Sequence, residues 1–386
     1  TSAGMEARRG MVAAEDAEAV ARLRAAGAII LGTTNLPELS ARGFTDNKLA
    51  GIARNPWDTS RTPGGSTGGG AAAVAAGLGP LTLGTDAGGS IRRPACHVGV
   101  VGFKPTHGRV PLGPGFAPTS PGYTVNGPLG RTVADAATMF SVMAGPDLVD
   151  RTSFLPPLDA SPADLATPLD LAGKRVAWSP DLGDRPVDPR VRSLCEAAVR
   201  AFENLGARVE VAHPSVPHDF EDVVVRALGG PATVAFLAPY LPAHADDFDA
   251  GVHATLAAGA RVTGREVYEA RQRQAALYAD MVRFFERYDL LLTPTAAALP
   301  WTVEAEYPNE IDGKPVGPRG HSAFTPFANH AGLPAISVPA GWTDDNLPVG
   351  LQIVGPFLAD APVLRAAAAF EQARPWADRW PHDPTM

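Results

Sequence analysis

Cysteine is nearly missing from this 386-residue chain, which holds only Cys96 and Cys195. Two thiols cannot build a disulfide framework or a thiolate metal site, and a reducing cytoplasm is the expected setting. Long apolar runs are missing too: no stretch of about 18 apolar residues occurs, so nothing in the sequence reads as a membrane span. Thr1 to Gly10 lack the apolar core of a signal peptide. Cationic excess is absent, because 33 Lys+Arg face 41 Asp+Glu for a net charge of −8. The signs are interspersed, and no basic stripe marks a nucleic-acid surface. His-Glu-x-x-His and clustered Cys/His ligands are absent, so no metal is expected. Neither phosphate-cradling glycine motif occurs, so no cofactor is expected. Lysine is rare: Lys48, Lys104, Lys174 and Lys314 are the whole set.

What is present supports a large core. Apolar residues make up 45% and charged residues 19%, which excludes wholesale disorder. The length fits one large α/β domain or two smaller ones. Helical periodicity covers 14–26, with Val20 and Leu23 on one face, then 68–78, 131–144, 190–205, 264–287 and 360–373. Strand-like runs fall at 28–31, 81–85, 175–178, 208–211, 290–292, 335–338 and 349–354. Residues 41–65 and 111–128 read as loops, and the Pro/Asp/Ala-rich stretch 150–170 as a surface connection. Strand and helix alternate from end to end, which predicts one α/β domain with a mostly buried sheet.

Two glycine-rich segments each carry a serine: Gly64-Gly65-Ser66-Thr67-Gly68-Gly69-Gly70 and Gly84-Thr85-Asp86-Ala87-Gly88-Gly89-Ser90. Glycine permits tight turns and close backbone approach, at an entropic cost elsewhere. The helix over 68–78 directs its unpaired N–H groups back toward Ser66, and 87–90 offers consecutive N–H groups for an anion. A hydroxyl beside such donors suits acyl transfer: the oxygen attacks a carbonyl and the donors hold the oxyanion. The bland alternative is a pair of glycine turns packing a helix on a strand. The match of 64–68 to Gly-x-Ser-x-Gly is treated as coincidence, because a nucleophile elbow needs a preceding strand and Thr59–Pro63 reads as loop.

Three segments carry a resemblance: Arg61 to Gly69, Gly84 to Ala95, and Gly102-Phe103-Lys104-Pro105-Thr106. Together they resemble the amidase signature family, and the spacing of 24 residues between the serines (90 − 66) is the spacing of that motif. Similar segments run through nearly all the chain, from Gly27–Glu38 and Asn55-Pro56-Trp57 to Gly127–Asp135, Tyr288–Thr295 and Gly332–Pro339. The resemblance implies a single α/β/α domain over 1–386, lacking its N-terminal portion, with a mixed central sheet and a catalytic segment at 65–95. It implies a Ser–cis-Ser–Lys triad with Ser90 as nucleophile and Ser66 as proton relay after a cis Gly65–Ser66 bond. The oxyanion hole falls on the N–H groups of Ala87, Gly88, Gly89 and Ser90. Asp86 and Arg92 brace this loop, and Thr67 stands where the family often has a second serine.

None of the four lysines matches the family's base. That base lies in an apolar strand ending Lys-Asp, expected on the order of a dozen residues upstream of Thr1. A neutral, buried lysine suits the task because its pKa shifts readily. His97, His107, His321 and His330 are the candidate substitutes. The expected function is hydrolysis of a linear carboxamide to an acid plus ammonia or an amine, on a small-molecule substrate, with a homodimer left open. Two alternatives stand beside it: the glutaminase-type component of a transfer-RNA-dependent amidotransferase, which works with partner subunits, and an inactive binding or scaffold protein without the base. Pocket residues are expected in 111–128, 220–262 and 300–330. Phe116, Tyr123, Trp301 and Phe324 either line an apolar acyl pocket or belong to the core.

Overall fold

An eight-stranded mixed sheet runs through the computed structural model, which describes residues 2–113 and 122–381. Its strands are β1 (Leu81–Asp86), β2 (Val101–Lys104), β3 (Val125–Gly130), β4 (Arg175–Trp178), β5 (Arg208–Val211), β6 (Leu290–Pro294), β7 (Ala335–Trp342) and β8 (Pro348–Val354). The spatial order is β1-β3-β2-β7-β8-β6-β4-β5. Pairing is antiparallel from β1 to β6 and parallel from β6 through β4 to β5. Every residue of β6 and β8 is buried. That explains their continuous apolar runs: a strand covered on both faces has no reason to alternate.

Around the sheet lie α1 (Glu18–Ala25), α2 (Gly68–Ala75), α3 (Arg92–Val98), α4 (Val133–Met143), α5 (Pro189–Asn204), α6 (Phe220–Leu237), α7 (Ala250–Gly259), α8 (Gly264–Arg287), α9 (Pro326–His330) and α10 (Asp360–Ala373). Local chemistry sets their ends. The Asp188 side chain accepts from Arg190 N–H, and Pro189 starts α5. Thr263 and Glu266 form a capping box at α8, whose buried Ala270, Gln274, Leu277 and Met281 follow the helical repeat. Helix α10 packs on β7 and β8 and against α4 and α5.

The expected single α/β domain is the observed one. Strands 175–178 and 208–211 and helices 264–287 and 360–373 form at the expected bounds. Three expectations are corrected. Residues 28–31 form no strand: Ile29 and Leu31 are 85% and 75% exposed, and no strand among the described residues pairs with them. A lone extended segment has no ladder to satisfy its backbone. In α1 the buried residues are Ala19 and Leu23, not Val20. Part of 111–128 is strand β3, buried throughout between β1 and β2 despite its Asn-Gly-Pro sequence. The connection 150–170 contains a capped turn of helix, Pro162–Leu165, that buries Leu165.

Candidate active site

The two serine loops meet where α2, β1 and α3 follow one another in the chain. Ser66 lies two residues before α2, and Ser90 lies in the turn between the end of β1 and the start of α3. Buried Ala71, Val74 and Ala75 of α2 share a core with Ile91 and with Ala95 and Val98 of α3. Small side chains on α2 allow that close contact. A Cβ on Gly69 would sit 2.5 Å from the Asn35 carbonyl oxygen, so the helix start has room for glycine only. The decisive link is a backbone hydrogen bond: Thr67 N–H donates to the Ser90 carbonyl at 3.1 Å. It places Ser66 beside Ser90. The Gly65–Ser66 peptide bond is cis, and Ser66 and Ser90 retain 2% and 8% of their surface. Neither hydroxyl has a hydrogen-bond partner among the described residues.

Asp86, the last residue of β1, organises the loop. Its carboxylate accepts from Gly89 N–H at 2.7 Å and Ile91 N–H at 3.0 Å. It also accepts from Arg92 Nη2 at 2.9 Å and Nε at 3.1 Å. Both side chains are fully buried. Burial alone would raise the Asp86 carboxyl, but the charge and hydrogen bonds of Arg92 outweigh it and hold the group well below the usual carboxylate range. Arg92 donates further to the Thr325 carbonyl (2.9 Å), Gln352 Oε1 (2.6 Å) and Asn329 Oδ1 (2.5 Å). Asn329 returns a bond from Nδ2 to Asp86 Oδ1 at 2.9 Å. Thr325 Oγ1 donates to the Gly88 carbonyl at 2.7 Å.

The arrangement sorts the four candidate oxyanion donors. Gly89 N–H is committed to Asp86, so its place in the expected set is corrected: an amide donating at that distance to a carboxylate is not free for a second anion. Among the described residues, Ala87, Gly88 and Ser90 N–H carry no hydrogen bond. The loop therefore presents unclaimed amides next to a hydroxyl, with its shape held from behind.

No lysine or histidine is hydrogen-bonded to either serine among the described residues. Lys48 Nζ donates to the Asp247 carbonyl at 2.7 Å, and Lys104 Nζ to the Pro105 carbonyl at 2.8 Å. Lys174 is half-buried and Lys314 exposed. Burial, then the charge of Arg92, pushes the Lys104 amine down to about 7. Burial, then the charge of Arg93, takes His97 down to about 3. Burial, helped by nearby guanidinium groups, takes His330 to about 3. His321 falls well below its ordinary value for the same reasons. Burial, then the charge of Lys104, also lowers His107.

Tyr123 and Phe324 belong to the main core, at 1% and 0% exposure. Trp301 packs against the rings of His97 and His321. Phe116 lies outside the described residues. A groove of about 260 Å³ has Phe220, Glu221, Arg319 and Pro326 on its walls, and Glu221 and Pro326 are the side chains that a Cβ on Gly88 would meet. A larger depression, about 550 Å³, is walled by residues 210–215 and 280–288 and includes no serine-loop residue. The expected pocket ranges 220–262 and 300–330 contain Glu221, Thr325 and Asn329 without singling them out, and Gln352 falls outside every expected range. All four are of ordinary type in unremarkable local sequence, and only the fold brings them to the loop.

Comparison with known proteins gives the family. The family model Amidase matches residues 1–364, and the chain belongs to that family. It is 38% identical to an acylamidase of Rhodococcus erythropolis, over 99% of this chain and 80% of that protein. Among solved structures, a bacterial aryl acylamidase of the amidase signature enzymes superposes with a TM-score of 0.90 at 32% identity, covering 97% of this chain and 79% of that one. The chain is also 35% identical to a component of the glutamyl-tRNA(Gln) amidotransferase of Cupriavidus pinatubonensis (strain JMP 134 / LMG 1197), over 95% of this chain and 79% of that protein. The chain is an amide hydrolase, acting on carbon–nitrogen bonds other than peptide bonds.

Proposed function

We propose that this protein cleaves a small linear carboxamide through an acyl-enzyme on Ser90. The observation that supports the reading is the Thr67–Ser90 backbone bond, which brings residue 66 next to the Ser90 loop and its unclaimed amides. Ser90 Oγ attacks the carbonyl carbon, and its proton passes through Ser66 to a neutral lysine amine. The N–H groups of Ala87, Gly88 and Ser90 receive the oxyanion. The C–N bond breaks as the same relay returns the proton to the leaving nitrogen, and water then releases the acid. The base is the lysine of the triad that the family resemblance implies. The two buried free thiols support a cytoplasmic setting.

The test uses the full-length protein and a panel of aliphatic and aromatic amides. Ser90→Ala is expected to abolish turnover, and Ser66→Ala to lower kcat by roughly 10²–10⁴. Mass spectrometry should find the acyl adduct on Ser90. Turnover retained by Ser90→Ala would overturn the mechanism. The relationship to the amidotransferase component supports a second reading, glutaminase action within a complex; glutamine turnover only with partner proteins would favour it. A folded full-length protein that acylates with nothing would favour the scaffold reading.

A further inference from the structure

The groove that holds Glu221 and Arg319 carries an internal ion pair on the wall nearest Gly88. A Cβ built on Gly88 would lie 3.6 Å from Glu221 Oε1 and 3.9 Å from Pro326 Cγ, so this face of the loop looks onto Glu221. Glu221 stands in the first turn of α6, and its side chain is only 15% exposed. Its Oε1 accepts from Arg319 Nη1 at 2.7 Å, and its Oε2 from Ser322 Oγ at 3.5 Å. Arg319, at 43% side-chain exposure, reaches in from the segment preceding α9.

A second guanidinium lies behind the loop. Arg93 is 8% exposed, and a Cβ on Gly89 would come within 2.9 Å of its Nε. It meets His321 Nε2 at 3.4 Å, and no carboxylate pairs with it among the described residues. Asp86 and Arg92 cancel one another, and so by count do Arg185 and Asp222 on the groove wall, which leaves Arg93, Arg319 and Glu221. Together they leave one net positive charge, which suits an oxyanion forming at the amides. A carboxylate carried by the substrate itself would instead be set against Glu221, and Arg319 is already engaged. Like charges at such range in a partly buried groove repel strongly.

We propose that Glu221 is a specificity-determining residue: by engaging Arg319 beside Gly88, it fits the site to amides that carry no charge near the scissile bond and excludes carboxylate-bearing ones. This rests on the amidase reading and names the substrate class of that same site. Removing the carboxylate frees Arg319 as a cation in the groove, and removing Arg319 leaves Glu221 as an anion.

The experiment compares butyramide with succinamate, near-isosteres that differ by one carboxylate, using the full-length protein. The ratio of kcat/KM values for succinamate over butyramide is the readout. The parent is expected to prefer butyramide. Glu221→Gln should raise the ratio by on the order of tenfold or more, Arg319→Gln should lower it, and the double variant should fall between them. Far-UV circular dichroism and thermal melts of each variant establish folding, and the ratio cancels any loss of active protein. A parent that hydrolyses butyramide but shows the same ratio, within threefold or so, in both single variants would overturn this inference alone. So would a parent that prefers succinamate. A parent that hydrolyses no amide and forms no adduct on Ser90 would remove the amidase reading, and this inference with it.

Discussion

Replacing Arg92 with methionine tests the brace behind the serine loop. The substitution keeps much of the side-chain volume and removes the charge. It leaves the Asp86 carboxylate fully buried, still accepting from Gly89 and Ile91 N–H and Asn329 Nδ2 but without its counter-ion. It also strips donors from the Thr325 carbonyl, Gln352 Oε1 and Asn329 Oδ1. Removing one partner of a buried pair costs about 3–5 kcal/mol, a large part of the roughly 5–15 kcal/mol that keeps a domain folded. Urea denaturation followed by circular dichroism measures it, and the pH dependence gives a signature. In the parent, Asp86 titrates below its unfolded value, so its contribution is present above about pH 4 and is lost as the pH falls through the folded pKa. In Arg92→Met, burial without the guanidinium raises the folded pKa above the unfolded one, so the stability deficit shrinks as the pH drops from 7 toward 5. A further Asp86→Leu change should recover part of the loss, because no buried charge is then left alone. A deficit under about 1 kcal/mol at pH 7, or one independent of pH, would refute the reasoning.

Three more outcomes are expected. Lys104 is buried with its amine at about 7, far below its unfolded value near 10.4. The unfolded chain therefore binds more protons between those values, so Lys104→Met should flatten a rise in stability from pH 7 to 10, seen in urea midpoints. Gly69→Ala forces a Cβ against the Asn35 backbone and should cost roughly 1–3 kcal/mol in the same assay. Thr325→Val removes the hydroxyl that holds the Gly88 carbonyl at 2.7 Å. It should lower kcat by on the order of tenfold with KM changed far less; an unaltered kcat would separate Thr325 from the working loop.

Legibility in the sequence followed the range of the interactions. The pair of serine loops, the helix between them and the Asp86–Arg92 contact all fall within about thirty residues, so spacing and glycine content displayed them. Thr325, Asn329 and Gln352 are brought in by β8 and α9 from more than 230 residues away, and no local pattern distinguishes them from surface polar residues. Strand β3 was hidden for a different reason. Gly127, Pro128 and Gly130 suppress intrinsic strand preference, yet the sheet imposes the conformation because both neighbours pair with it. Residues 28–31 failed in the opposite sense: apolar run and β-branched content read as a buried strand, but burial needs a partner that these residues do not meet among the described residues.

The commitment of Gly89 N–H to Asp86 bears on how the loop can work at all. Consecutive amides do not all point one way by default; each must be held against its tendency to find an acceptor. Here the carboxylate takes the amides of Gly89 and Ile91 to the inside of the turn, and Gly89 adopts a φ of +115° that a side chain would resist. That leaves the neighbouring Gly88 and Ser90 amides outside the brace. Thr325 fixes the Gly88 carbonyl from behind, and Arg92 fixes the Thr325 carbonyl. The buried ion pair is thus joined to the amide donors by a chain of direct hydrogen bonds, and donors held in advance need little reorganisation when charge develops. Burying two charges costs desolvation that packed apolar residues would avoid. The geometry of the loop, more than the stability of the domain, accounts for the pair.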